Sequence, residues 1–153
     1  MKQKIMIALA VLFTVILSAA HVSAQSPVHW SASSKMTSRT EGVITLTATI
    51  DKGWHVYGFN QPEDGPVSTT IKFEGTKGVT FLGSTKATPK PVYVMEEMFG
   101  CKVSYWEKKV TLTRKFKLTG AKTGNATITI NYMCCNETSC RPPSTETIKV
   151  KLK

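Results

Sequence analysis

The feature that most restricts this chain is the recurrence of apolar residues at every second position in runs that are repeatedly cut short. VITLTATI (Val43 to Ile50), TTIKFEG (Thr69 to Gly75), VTFLG (Val79 to Gly83) and KVSYWEK (Lys102 to Lys108) are such runs. VTLTRKFKL (Val110 to Leu118), ATITINYM (Ala126 to Met133) and TIKVKLK (Thr147 to Lys153) are others, and VHWSASSKM (Val28 to Met36) is a weaker one. Successive side chains of an extended strand point to opposite faces, so alternation of this kind predicts strands with one dry and one wet side. In the final run, lysines alternate with Ile148, Val150 and Leu152, giving one face of each kind. Between the runs lie DKG, QPEDGP, GTKG and TGAKTGN, rich in the residues that reverse a chain.

Seven to nine short antiparallel strands in about 125 residues predict an all-β, immunoglobulin-like antiparallel β-sandwich forming a single domain, with a closed barrel as the alternative. Two stretches fit neither strand nor ordinary turn. WHVYGFNQPEDGP (Trp54 to Pro66) places three aromatics and a histidine ahead of a polar loop, and PKPVYVMEEMFG (Pro89 to Gly100) ends in two acids, Met98, Phe99 and a glycine. Apolar residues on such loops must cover something.

The chain opens with Lys2 and Lys4, an apolar run from Ile5 to Ala20, and small residues at Ser23 and Ala24. This is the pattern of a secretory signal peptide over residues 1–24, cut after Ala24, which leaves residues 25–153 as the domain. The apolar run is too short and too early for a membrane span, so the mature chain is expected not to cross a membrane. A domain of that length buries a core without needing disulfides. Outside the cytosol, thiols pair unless something keeps them reduced.

The whole chain carries a formal charge of +10, which falls to +8 when Lys2 and Lys4 leave with the leader. The lysines are spread along alternating strands (Lys72, Lys77, Lys86, Lys108, Lys115, Lys149 and Lys151). With no basic run, recognition-helix pattern or aromatic platform, they read as a solvated surface rather than a nucleic-acid interface.

Three of the four cysteines lie in YMCCNETSCRPP, Tyr132 to Pro143. Cys135 and Cys140 bracket four small or polar residues, so a tight loop brings their sulfurs within disulfide reach. In the chain-entropy model a six-residue loop stabilises by only roughly 2 kcal/mol, against roughly 4 for a loop of about 35 residues, the span of a Cys101–Cys134 bridge. Two readings stand side by side: structural staples in an exported domain, or a short, exposed pair of the labile, exchanging kind. Strand alternation puts Ile128, Ile130, Tyr132 and Cys134 on one face, with Met133 and Cys135 on the other. Cys134 is accordingly expected in the core, either free or bridged to Cys101. A zinc site is disfavoured because paired CxxC knuckles are missing and Cys134 and Cys135 diverge. After the leader only His29 and His55 remain as histidines, neither in a nucleophile motif.

YMCCNETSCRPP followed by TIKVKL, together with KGWHVYGFNQ and EEMFG, resembles the N-terminal periplasmic domain of the thiol:disulfide interchange protein DsbD over most of the mature chain. The resemblance implies a redox-active pair at Cys135 and Cys140, without a cofactor, metal or small-molecule substrate, serving as one component of protein-disulfide reduction. It implies periplasmic localisation and electrons taken from a membrane-embedded thiol reductase. They pass to periplasmic thioredoxin-like proteins, including those of cytochrome c maturation. The family's cap loop falls on Glu96, Glu97, Met98, Phe99 and Gly100, with methionine where the capping aromatic would sit and Phe99 next to it. Site-lining aromatics fall on His55 and Tyr57, of which the second keeps a tyrosine. The loop between the cysteines is one residue shorter than in the best-known member, and Cys101 and Cys134 are additional. The chain ends at Lys153, so electrons are expected from a separate protein.

Thiol exchange needs a thiolate that attacks a partner's disulfide and a second cysteine that resolves the product. Arg141 follows the loop and Glu137 opposes it, which predicts a modest nucleophile. By resemblance Cys140 bonds the partner and Cys135 resolves. The competing functions are a non-catalytic protein-binding sandwich with staples, and a carbohydrate binder using Trp54, Tyr57 and Phe59. A cap over the sulfurs discriminates in favour of exchange; burial by regular strands favours staples.

Overall fold

The alternating runs all become strands in the computed structural model, which describes residues 25–120 and 123–153; the expected signal peptide lies outside the described residues. In chain order the strands are β1 (Val28–Met36), β2 (Glu41–Ile50), β3 (His55–Tyr57), β4 (Thr70–Gly75), β5 (Val79–Thr88) and β6 (Val92–Glu96). There follow β7 (Cys101–Glu107), β8 (Lys109–Leu118), β9 (Gly124–Tyr132), β10 (Cys134–Cys135) and β11 (Ser144–Leu152). Among the described residues there is no helix, and so none long and apolar enough to cross a membrane.

Three antiparallel sheets form, in the orders β1-β2-β8-β5, β10-β3-β7-β6 and β11-β9-β4. The first layer turns Ile44, Leu46, Ala48, Val110, Leu112 and Phe116 inward, each at a period of two along its strand. The second layer meets them with Ile128 and Ile130 from β9, Val56 from β3, Trp106 from β7 and Cys134 from β10. The result is an immunoglobulin-like sandwich whose central core runs between the layers.

β3 and β6 correct the reading of their two stretches as non-strand. β3 shows no alternation because both its faces are buried, Val56 at 0 % and Tyr57 at 1 % exposure. β6 hides its period differently: Val94 packs on the sheet while Tyr93 and Met95, on the other side, are apolar yet mostly exposed. The loop after β3 is tied to β7 through Gln61, whose Nε2 donates to the Ser104 carbonyl at 2.7 Å and whose Oε1 accepts from the Ser104 amide at 3.0 Å. Gly58 permits this approach, since a Cβ there would lie 2.6 Å from Ser104 Oγ.

Candidate functional site

The sheet β10-β3-β7-β6 carries buried residues on both faces of β10, β3 and β7, and its register explains what each face holds. Cys134 lies opposite Val56, which lies opposite Trp106, and all three side chains enter the central core. One residue on, Cys135 lies opposite His55, which lies opposite Glu107, on the outer face. There a second, smaller cluster forms from Tyr57, Val103 and Cys135, with Val94, Phe99, Cys101, Tyr105, Met133 and Cys140 packed around it.

Cys135 and Cys140 are joined by a disulfide across a sequence separation of 5. Cys135 is 1 % exposed, whereas Cys140 is half-buried, so the two sulfurs differ in access. Residues 136–139 are folded around Asn136. Its Oδ1 accepts from the amides of Thr138 at 3.0 Å and Ser139 at 2.8 Å, and its own amide donates to the Ser139 carbonyl at 2.9 Å. This Asx turn draws the loop tight and was overlooked in the sequence, although Asn followed by Thr and Ser at the second and third positions is its signature. Beyond the loop, the Arg141 amide donates to the Cys134 carbonyl at 2.9 Å, and its guanidinium lies 5.7 Å from the Trp54 ring centroid.

The cover over the pair is the tip of the β6–β7 hairpin. Glu96 pairs with Cys101, leaving residues 97–100 as a four-residue loop closed by the Gly100 amide donating to the Glu96 carbonyl at 2.8 Å. Gly100 has φ of +64°, the left-handed conformation that ends such a turn. The loop places Met98 Sδ 3.5 Å from Cys140 Sγ, a van der Waals contact because a disulfide sulfur has no proton to donate. Phe99 turns inward, its ring 5.8 Å from that of Tyr57 at an interplanar angle of 89°. Methionine therefore touches the sulfur while phenylalanine anchors the loop.

His55 stacks against Tyr57 and Tyr105, with centroids at 5.0 and 4.5 Å. Burial pulls its imidazole below the ordinary value of 6.5, against the carboxylates of Glu96 and Glu107. Burial raises the Tyr57 and Tyr105 phenols, and Glu96 raises both further. Glu97 lines a cleft beside the loop together with His55, Glu96, Glu107 and Glu137.

A Cys101–Cys134 bridge, one of the two states expected for Cys134, is not formed: both are free thiols. Cys101 shares the outer cluster, whereas Cys134 enters the core from the other face of the same sheet. Burial raises the Cys134 thiol, with Arg141 opposing. The carbohydrate platform also fails to assemble. Tyr57 is 1 % exposed, Phe59 packs edge-on to Trp106 at 5.3 Å, and Trp54 lies against Arg141. Among the described residues no group of three His, Cys, Asp or Glu side chains is placed to hold a metal ion.

The fold and the disulfide under a hairpin tip define an immunoglobulin-like domain with a capped cysteine pair. The chain belongs to the family described as "Thiol:disulfide interchange protein DsbD, N-terminal", whose sequence profile matches residues 23–152. No curated protein sequence matches it. Among solved structures it resembles the N-terminal periplasmic domain of ScsB from Proteus mirabilis, at 17% identity and a TM-score of 0.51. That match covers 82% of this chain and 44% of the ScsB chain, so this chain spans less than half of it. It also resembles the DsbD N-terminal domain in a complex with the PilB N-terminal domain from Neisseria meningitidis, at 14% identity and a TM-score of 0.50, covering 78% of this chain and 80% of that one. At these identities the likeness is one of fold.

Proposed function

We propose that the protein relays electrons outside the cytosol by exchanging the Cys135–Cys140 disulfide with protein partners of two kinds. One is a membrane-embedded thiol reductase that reduces the pair; the others are thioredoxin-like proteins that it reduces in turn. The observation that carries this reading is the unequal burial of the two sulfurs beneath Met98. An incoming thiolate reaches Cys140 Sγ once the hairpin tip moves, and Cys135, at 1 % exposure, is the leaving sulfur. In the other direction the Cys140 thiolate attacks a partner's disulfide, and Cys135 displaces the partner from the mixed disulfide.

Family membership supports the interchange chemistry. The ScsB domain is named as periplasmic, and the DsbD N-terminal domain has been captured with another protein domain, which supports a periplasmic site of action and a protein rather than small-molecule partner. The leader-like residues 1–24 agree with export, and donation to cytochrome c maturation is one destination within the same reading. A staple would be covered by regular strands, whereas this pair is covered by a loop of four residues.

The deciding measurement is the potential of the pair in mature protein, by glutathione titration with alkylation mapping. A value near about −230 mV or somewhat above fits a pair that both accepts and donates; a bond resisting reduction below about −300 mV is a staple and overturns the relay.

A further inference from the structure

Resolution of a mixed disulfide at Cys140 requires Cys135 as a thiolate, because the protonated thiol is not a nucleophile. Cys135 is 1 % exposed under the cap, so a proton acceptor within the fold would spare it the entry of bulk solvent. We propose that His55 is the base that removes the proton from Cys135. The proposal rests on the exchange reading and supplies the proton acceptor that reading lacks.

His55 is the register partner of Cys135 across β3 and β10. Side chains directly opposite in an antiparallel pair share a face with Cβ atoms about 4.5–5.5 Å apart. Contacts to Tyr57 on one side and Tyr105 on the other hold the imidazole on that face. Its Nε2 is buried and has no hydrogen-bond partner among the described residues. A buried polar atom left unpaired is costly, and a nitrogen kept open to receive a proton accounts for it.

The charged groups lining the cleft beside the ring are all acidic. Glu107 comes from β7, Glu96 from the end of β6, Glu97 from the hairpin tip and Glu137 from the cysteine loop, and with His55 they line a cleft of about 450 Å³ that contains no lysine or arginine. In a chain with only 10 acidic residues, four gather here. Glu96 and Glu107 stabilise an imidazolium once it forms, and the cleft offers a way out for the proton. Tyr57 and Tyr105 remain phenols, and burial keeps the resting imidazole neutral and able to accept.

The step balances. The Cys135 proton passes to the imidazole, leaving a thiolate and an imidazolium. The thiolate attacks Cys140 Sγ; the Cys135–Cys140 bond forms, the bond from Cys140 to the partner breaks, and the partner departs as a thiolate. The domain's dithiol is oxidised by two electrons and the partner's disulfide is reduced. In the opposite direction the imidazole first takes a proton from water at the cleft and then passes it to Cys135 as that sulfur leaves.

The test uses reduced mature protein and excess glutathione disulfide, with acid quenching and mass spectrometry to follow the Cys140 adduct and its loss. Wild type, His55→Gln and His55→Phe are compared from about pH 5.5 to about pH 8.5, across the imidazole range. The adduct should form at equal rates in all three. Its resolution at about pH 7 should slow by about 10- to 100-fold in both variants, the scale of general-base catalysis. The deficit should close as pH rises and shrink when free imidazole is added. Resolution at the wild-type rate throughout overturns the proposal, as does a deficit that neither pH nor imidazole alters, which marks a displaced strand instead of a lost base. Glu107→Gln supplies a variant with the ring intact. It should move the pH midpoint of resolution downward, and an unmoved midpoint counts against the proposal. Wild-type protein that forms no adduct at Cys140 overturns the exchange reading itself.

Discussion

Cys134 and Cys135 are adjacent, almost wholly buried and members of one two-residue strand, yet they belong to different parts of the molecule. Cys134 enters the core between the layers, with Val56 and Trp106 beside it and Pro27 and the Arg141 to Ser144 segment along its edge. Cys135 enters a small outer cluster roofed by a hairpin tip whose Met98 is itself 51 % exposed. The inner thiol, at 2 % exposure, is held chiefly among strand residues of the central core. The outer sulfur lies beneath a four-residue loop whose displacement would leave every strand paired. What separates an inert cysteine from a reactive one here is the energy needed to uncover it, not its static exposure.

The largest expected contrast tests that separation directly. Cys140→Ser should abolish mixed-disulfide formation with a glutathione or protein disulfide. Cys134→Ser should leave exchange intact and cost about 1–3 kcal/mol of stability in a urea melt, because a hydroxyl in that core has no partner. Loss of exchange in Cys134→Ser with the fold retained would mean that the two faces are coupled.

A second pair of substitutions compares the two coverings. Ile130→Ala removes a fully buried inner residue and should destabilise by about 2–5 kcal/mol, with the rate of attack on the disulfide in the native state unchanged. Met98→Ala should change stability by less than about 0.5 kcal/mol, as for an exposed residue. It should nonetheless speed reduction of the disulfide by glutathione several-fold, since it uncovers the sulfur that Met98 touches. Equal glutathione rates in Met98→Ala and wild type would show that the tip does not gate the pair.

Gly100→Ala acts on the same tip through the backbone. A side chain at φ of +64° costs roughly 1–2 kcal/mol. Part of that strain is relieved if the turn loosens, so this variant should combine a loss of about 1 kcal/mol with faster reduction. A stability loss without any rate change would place the gating elsewhere than in the turn.

The inner face was far more legible in the sequence than the outer one, and for a physical reason. β2, β8, β9 and β11 each have one side against the core and one toward water, so the alternation of Ile128 and Ile130 with threonines declares them. That same alternation assigned Cys134 and Cys135 to opposite faces without knowledge of any neighbour. β3 packs on both sides and β6 carries exposed Tyr93 and Met95 opposite the packed Val94, so apolar residues fall on both sides and the period disappears. The contact of His55 with Tyr105 depends on a register between strands about 50 residues apart, which no local pattern encodes. The division of labour between Met98 and Phe99 depends on the turn closed by Gly100, and neighbouring positions in a hairpin tip differ in direction in a way that residue type alone does not reveal.

The smallest effect expected concerns pH and isolates the inner thiol. In oxidised protein Cys135 and Cys140 are bonded and do not titrate, so of the two neighbours only Cys134 carries a proton to lose. Burial raises its pKa above the ordinary 9.0, so the folded state keeps the proton while the unfolded chain gives it up as pH rises past that value. The unfolded state then binds fewer protons than the folded one, and stability must fall with rising pH. The contribution is complete below about pH 9 and is lost progressively up to the folded pKa. Tyr132, with an ordinary value of 10.0 and pushed up to about 12 chiefly by burial, adds a second decline that begins higher. Cys134→Val fills a similar volume without a proton, so urea melts of the oxidised variant should fall less steeply than wild type between about pH 8.5 and about pH 10, and run parallel to it below. Parallel curves over the whole range would mean that the inner thiol is solvated in the folded state, and the contrast between the two faces of this sheet would then be one of position alone.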